Sequence, residues 1–299
     1  MSAQPSRQVE QVEPTLTSRP GPARLRVVHR TDFAYERTVP GSFNEARITP
    51  SNELRQSVVE TRVAISPVTW QHSYTDYWGT RVTAFEVLQP HDRLTVTSTS
   101  VVDVREPDQM PEVDWQTLRR PEIRDARAEE LRVNDRTEPG EELLVQVREV
   151  AADLPPAQAA HAVCRLVSDS VTYTKGVTGV HTRAREAWEE RRGVCQDFAH
   201  LCLGALRSIG IPARYVSGYL HPRASAPVGE TVTGESHAWV EWWTGSWYGW
   251  DPTNDKVVGP LHVVVGRGRE YGDVTPLKGI IAVRAESRLS VQVEVTRLS

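Results

Sequence analysis

Apolar positions change their rhythm along this chain, and the change divides it. From Arg24 to Val104 they fall in short β-branched and aromatic runs at 25–33, 57–66, 81–88 and 93–104. In the last run Leu94, Val96, Ser98 and Ser100 alternate with threonines, the period of two expected of a half-buried strand. Asp76-Tyr77-Trp78-Gly79-Thr80 supplies a turn between runs. An antiparallel β domain over 23–105 is the reading. Farther on, apolar residues recur every three or four positions at 143–152, 157–169, 184–192 and 194–209, the spacing of amphipathic helices. The last is the strongest: Phe198, Leu201, Cys202, Ala205, Leu206 and Ile209 form one face, and Gly210 and Pro212 end it. Strand-like runs follow at 213–220, 237–243, 247–250, 261–265 and 289–295. Helices first and antiparallel strands afterwards predict an α+β domain over 142–299.

The segments between and before these patterns are different in kind. Residues 106–141 carry many charges and prolines and read as a surface linker with one short helix. Residues 1–22 hold Pro, Gln, Ser and Glu and almost no aromatics, so they read as a disordered arm.

Composition narrows the function. With 299 residues, either domain is long enough to bury a core without staples. The net charge of −4 gives no overall positive field, so no nucleic-acid partner is expected. The first 24 residues show no apolar stretch of the export-signal kind, and no run elsewhere approaches the roughly 20 residues that span a bilayer. A cytoplasmic protein without a membrane partner is expected. Three cysteines, an odd number, then imply reduced thiols.

Of these thiols, Cys195 has the context of a nucleophile. It lies in Gly193-Val194-Cys195-Gln196-Asp197, where Gly193 permits a sharp entry and Asp197 favours a first helical turn. A cysteine at a helix start faces unpaired amide protons and the positive end of the helix dipole, both of which favour thiolate. Cys164 and Cys202 sit within apolar helical patterns and read as structural. A thiolate needs a proton shuttle, and His237 opens the strand His237-Ala238-Trp239-Val240-Glu241-Trp242-Trp243. If Trp243 pairs with Trp247 across Thr244-Gly245-Ser246, His237 and Asp251 project to one face as diagonal neighbours. A two-residue loop would put them on opposite faces.

Cysteine, histidine and acid in this order form a nucleophile, base and orienter set. The surrounding motifs resemble the transglutaminase-like superfamily of papain-fold thiol enzymes, in the bacterial form that carries an N-terminal β domain. The resemblance rests on Arg191-Arg192-Gly193-Val194-Cys195-Gln196-Asp197-Phe198-Ala199-His200, the run from Leu206 to Tyr219, Ser236-His237-Ala238-Trp239-Val240-Glu241 and Trp250-Asp251-Pro252-Thr253-Asn254. It implies a papain-like core of helices packed on an antiparallel sheet, Cys195 as nucleophile, His237 as general base and acid, and Asp251 as third member. The family's oxyanion partner is usually an upstream side chain; here Tyr173 is favoured over Trp188, because its hydroxyl donates.

The implied reaction is acyl transfer on a protein or peptide amide through a thioester, with water or an amine as acceptor. Trp239, among the five tryptophans between 239 and 250, is a candidate wall of the substrate groove, although cross-strand packing explains most of that cluster. No cofactor is needed. His161, Cys164, His200 and Cys202 lack the spacing of a zinc site, and Gly266-Arg267-Gly268-Arg269 lacks that of a dinucleotide loop. The alternative function is a papain-like binding or scaffolding module without catalysis.

Overall fold

The structure, a computed structural model, describes residues 22–223, 227–234, 236–281, 283 and 285–299. The arm expected over 1–22 lies outside them apart from Pro22. The chain opens with strands β1 (Ala23–Val39), β2 (Ser42–Ala46), β3 (Gln56–Ser66), β4 (Gln71–Thr75), β5 (Arg81–Val87) and β6 (His91–Val104). Short helices α1 (Trp115–Leu118), α2 (Pro121–Ala126) and α3 (Ala128–Leu131) lead to α4 (Glu141–Ala151) and α5 (Pro156–Ser170). Then come β7 (Thr172–Tyr173), α6 (Ala184–Glu190), β8 (Arg192–Gly193), α7 (Cys195–Ser208) and β9 (Ala213–Leu220). The remaining strands are β10 (Thr231–Gly234), β11 (His237–Trp243), β12 (Trp247–Asp251), β13 (Lys256–Val257), β14 (His262–Gly268), β15 (Leu277–Ile281) and β16 (Ser287–Arg297). The fold is α+β, as the alternation of patterns predicts.

Three antiparallel sheets are built from these strands, in orders β10-β16-β1-β6-β3, β15-β2-β5-β4 and β13-β12-β11-β9-β14. The long strands β1 and β6 present one apolar face to two different partners. Phe33, Leu94 and Val96 pack on Phe85 and Val87 of the four-stranded sheet, whereas Leu25, Val27, Val102 and Val104 pack on Tyr219, Val263 and Val265. Helices α4–α7 cover the third sheet with a core that includes Leu143, Trp188, Leu203 and Trp242. Buried polar contacts add to this seam: the Gln56 side-chain amide both donates to and accepts from the backbone of Val264, each at 2.8 Å. Arg267, in the stretch Gly266–Arg269, pairs with Glu53 of the β region and with Glu241.

Two expectations about organisation need correction. Strands β15 and β16 pair with β2 and β1, so residues beyond about 277 belong structurally to the N-terminal sheets rather than to one unit spanning 142–299. Their sequence could not reveal this, because a strand pattern names a conformation and not a partner. The segment 106–141 is also more than a surface linker. Leu118 is buried, Trp115 Nε1 donates to the Leu154 carbonyl at 2.9 Å, and the Thr137 backbone lies against Gly204 in the middle of α7.

That last contact gives a prediction. A β-carbon on Gly204 would lie 1.7 Å from the Thr137 carbonyl oxygen. Alanine at mid-helix normally stabilises by up to about 1 kcal/mol over glycine, but here the backbone must move. Gly204→Ala is expected to cost a net ~2 kcal/mol, read as a lower urea midpoint at unchanged slope.

Candidate active site

Cys195 is the first residue of α7, where helical amides have no intrahelical acceptor. The entry is fixed by Asp197, whose Oδ2 accepts the Val194 N–H at 2.7 Å and the Thr178 hydroxyl at 2.6 Å. Burial pushes the Asp197 carboxyl up, and those two hydrogen bonds oppose it. Gly193 is required for a reason other than the sharp entry expected. A β-carbon there would meet the Asp197 side chain at 2.7 Å, so the position needs smallness and not an unusual φ. The left-handed residue is Arg191, at φ 53°, which ends α6.

The hairpin between β11 and β12 has the register read from the sequence: Trp243 faces Trp247, and Val240 faces Trp250. His237 and Asp251 therefore share a face, and His237 Nε2 lies 2.8 Å from Asp251 Oδ2. Cys195 lines the same cavity as His237 and stands close enough to that ring to raise its pKa. The structure thus brings Cys195, His237 and Asp251 together. Burial alone would lower the His237 pKa, but the hydrogen bonds and charges of Asp251 and Cys195 override it and push it up to about 10. Burial would likewise raise the Asp251 carboxyl, yet hydrogen bonds from His237 and His262 hold it well below the usual carboxylate range.

Two neighbours of Asp251 escaped the sequence reading. Asn254 donates its Nδ2 to Asp251 Oδ2 at 2.7 Å, and the backbone N–H groups of Thr253 and Asn254 reach Oδ1 at 3.1 and 3.2 Å. His262, at the start of β14, places Nε2 3.2 Å from Oδ2. Its Nδ1 accepts the Gly259 N–H at 3.2 Å, so Nε2 carries the proton and donates to Asp251. Burial lowers the pKa of this second ring, against the pull of Asp251. Asn254 lay within the quoted Trp250–Asn254 motif, but His262 had no signal beyond opening an apolar strand.

The remaining candidates separate. Tyr173, on β7, lines a cavity of about 670 Å³ together with Cys195, Gln196 and His237. Trp239 does not line it: the side chain is fully buried against Val216, Val258 and Val264, with its ring 5.3 Å from that of His262. Among the described residues no tryptophan lines this cavity. Trp243 and Trp247 instead stack under Arg127. Trp188 is buried beneath Arg191 as packing. The residues weighed for zinc are dispersed in the helical core: His161 lies against Trp250, His200 accepts the Tyr271 amide, and the Cys164 and Cys202 thiols touch. Among the described residues no helix is long and apolar enough to cross a membrane.

A thiol at a helix start beside a strand-borne imidazole and carboxylate, in a helix-on-sheet core, defines a papain-like arrangement. Residues 146–252 match the transglutaminase-like superfamily model and residues 25–103 the bacterial transglutaminase-like N-terminal region. The chain is 46% identical over 278 residues to an uncharacterized protein of Mycobacterium leprae, covering 92% of this chain and 99% of that one. An uncharacterized protein of Mycobacterium tuberculosis is 38% identical over 298 residues, covering 92% and 93%. A crystal structure from Cytophaga hutchinsonii, described as a "Putative Cysteine Protease", superposes with TM-score 0.73 at 19% identity over 94% of this chain and 93% of that one. The chain belongs to the transglutaminase-like superfamily, with the N-terminal region of its bacterial members.

Proposed function

We propose that this protein is an enzyme that transfers the acyl group of a protein or peptide amide through a thioester on Cys195. The observation that carries the reading is Cys195, at the start of α7, facing one cavity with His237, whose Nε2 lies 2.8 Å from Asp251 Oδ2. The Cys195 sulfur attacks the amide carbonyl, and the C–N bond breaks as imidazolium His237 gives its proton to the departing amine or ammonia. Water or a second amine then attacks the thioester, losing a proton to His237 and restoring the thiolate–imidazolium pair. The tetrahedral oxyanion takes hydrogen bonds from amides at the start of α7 and from the Tyr173 hydroxyl. Asp251, held by His262 and Asn254, fixes the imidazole and stabilises its charged form. The site works in the cytoplasm without a metal or organic cofactor.

The test is incubation with a glutamine-containing peptide library, with and without a primary amine, followed by mass. Backbone cleavage, ammonia release or amine incorporation, each lost in Cys195→Ala, is expected and names the acceptor. Absence of any Cys195-dependent product would overturn the proposal.

A further inference from the structure

Asp251 is held by two kinds of contact. The Thr253 and Asn254 amides, the Asn254 side chain and His237 all come from its own hairpin or the turn that follows it. His262 is different: it approaches Oδ2 from β14, a strand separated from β11 by β9. A hydrogen bond from another strand holds the carboxylate only as firmly as that strand is itself held.

β14 is an edge strand of its sheet, and the N-terminal region covers that edge. Gln56, the first residue of β3, donates its Nε2 to the Val264 carbonyl and accepts the Val264 N–H at Oε1, each at 2.8 Å. The side-chain amide thus pairs with Val264 as the backbone of a neighbouring strand would. Its second N–H donates to the Ser51 carbonyl at 2.9 Å, so the amide is fully spent, in a residue only 3% exposed. Val264 is also where the ladder with β9 loses register: its partner is Gly218, whereas Gly266 faces Ser217. A strand bends and twists at such a bulge. The Gln56 clamp fixes the bulge two residues from His262, on the side chains' shared face. At the start of β14 the Gly259 N–H donates to His262 Nδ1 at 3.2 Å, and the His262 N–H to the Gly259 carbonyl at 3.0 Å. Gln56, His262 and Val264 all border a cavity of about 540 Å³ on this seam, so β14 is fixed there by directional bonds more than by packing.

We propose that the N-terminal region positions the catalytic pair: Gln56 fixes β14, β14 presents His262 to Asp251, and Asp251 so placed holds His237 beside Cys195. Gln56 and His262 are positioning residues, acting through Asp251. The proposal rests on Cys195 as the nucleophile and gives the N-terminal region a part in the reaction.

The test is the pH profile of Cys195 alkylation by iodoacetamide, whose iodide leaves as the sulfur takes its methylene carbon. The titratable groups around the carboxylate are His237 of β11, with Cys195 of α7 behind it, and His262 of β14, with Lys256 of β13 beside it. Arg55, Asp108 and the paired Glu53, Arg214, Glu241 and Arg267 line the cavity that His262 borders, and every variant keeps them. Without the His262 donor Asp251 should take a proton at higher pH, the imidazolium lose its counter-charge, and the thiolate disappear with it. In His262→Leu the acid limb is expected about one pH unit above that of the native protein, whereas His262→Gln, whose Nε2 donates to the same oxygen, should stay near the native value. Gln56→Leu should shift the limb the same way by about half as much. In the double variant Gln56→Leu should add little to His262→Leu, because its effect passes through that ring; a structural role alone predicts equal shifts in both backgrounds.

An unmoved acid limb in His262→Leu, a limb in His262→Gln displaced as far as in His262→Leu, or a Gln56→Leu shift undiminished in the double variant would overturn the proposal. Should the leucine variants not fold, the native protein decides. In nitrogen NMR spectra of its histidine rings, with His262 assigned by its loss in His262→Gln, the proton is expected on Nε2, and a proton on Nδ1 overturns the proposal. Failure of the underlying nucleophile reading has a separate signature, iodoacetamide reacting no faster at Cys195 than at Cys164 and Cys202, and it overturns this proposal as well.

Discussion

Replacing Cys195 by alanine is expected to lower acyl transfer by at least about 10⁴-fold, because loss of a nucleophile leaves only the rate that binding and the oxyanion donors supply. The fold should survive. Cys195 is only partly buried at the first position of α7, and the helix entry is held by Asp197 and Thr178 rather than by the sulfur. The same geometry predicts selective chemistry on the native protein. Cys164 and Cys202 are fully buried in the helical core, and burial together with the neighbouring Cys164 thiol pushes the Cys202 thiol up. Iodoacetamide at low molar excess should therefore label Cys195 first by a wide margin, read by peptide mapping. Equal, slow labelling of all three thiols would remove the basis for a thiol enzyme.

Asp251→Asn is expected to give the second largest loss, about 10³-fold or more in activity, accompanied by a change in pH dependence. In the native protein the His237 pKa stands at about 10 because Asp251 and Cys195 outweigh the effect of burial. An amide at 251 removes the carboxylate charge from a buried ring, so His237 should lose its proton at a much lower pH. Alkylation of Cys195 should then slow at pH 6 to 8, where the imidazolium no longer stands beside the sulfur, and recover only at alkaline pH. The stability consequences follow in sign. A raised histidine pKa contributes stability present in full below about pH 6.5 and lost as pH rises through about 10. The lowered Asp251 pKa contributes stability present above the ordinary carboxylate range and lost on acidification. In Asp251→Asn the carboxylate's contribution should disappear and that of His237 should shrink, measurable as urea midpoints across pH. An unchanged alkylation profile would show that the carboxylate does not govern the pair.

The parts of the site set by local rules were legible. A three-residue loop fixes strand parity, so Thr244-Gly245-Ser246 sufficed to put His237 and Asp251 on one face before any tertiary contact was considered. The helix bearing Cys195 was legible from the spacing of Phe198, Leu201 and Ala205. What depended on a third strand was not. His262 reaches Asp251 because β14 pairs with β9, which in turn pairs with β11, and no local pattern encodes that adjacency. Trp239 was misplaced for the same reason. It shares the face of His237, but Val216, Val258 and Val264 close over that face and leave only the end of the strand open. The short polar strands Ser42–Ala46 and Gln71–Thr75 were missed because partner strands supply their ladder while their own side chains carry little apolar signal.

The pairing of β1 with β16 joins Leu25 to Arg297 and Tyr35 to Ser287 across nearly the whole chain. During synthesis β1 has β6 as a neighbour early, but its other edge stays bare until β16 has been made. Phe33, Tyr35 and Leu289 wall a cavity of about 460 Å³ that shares Val180 and Tyr271 with the one at Cys195, and that wall is assembled only at that moment. A chain cut before β16 would thus possess the thiol helix while the cavity wall that Phe33, Tyr35 and Leu289 share remained half built.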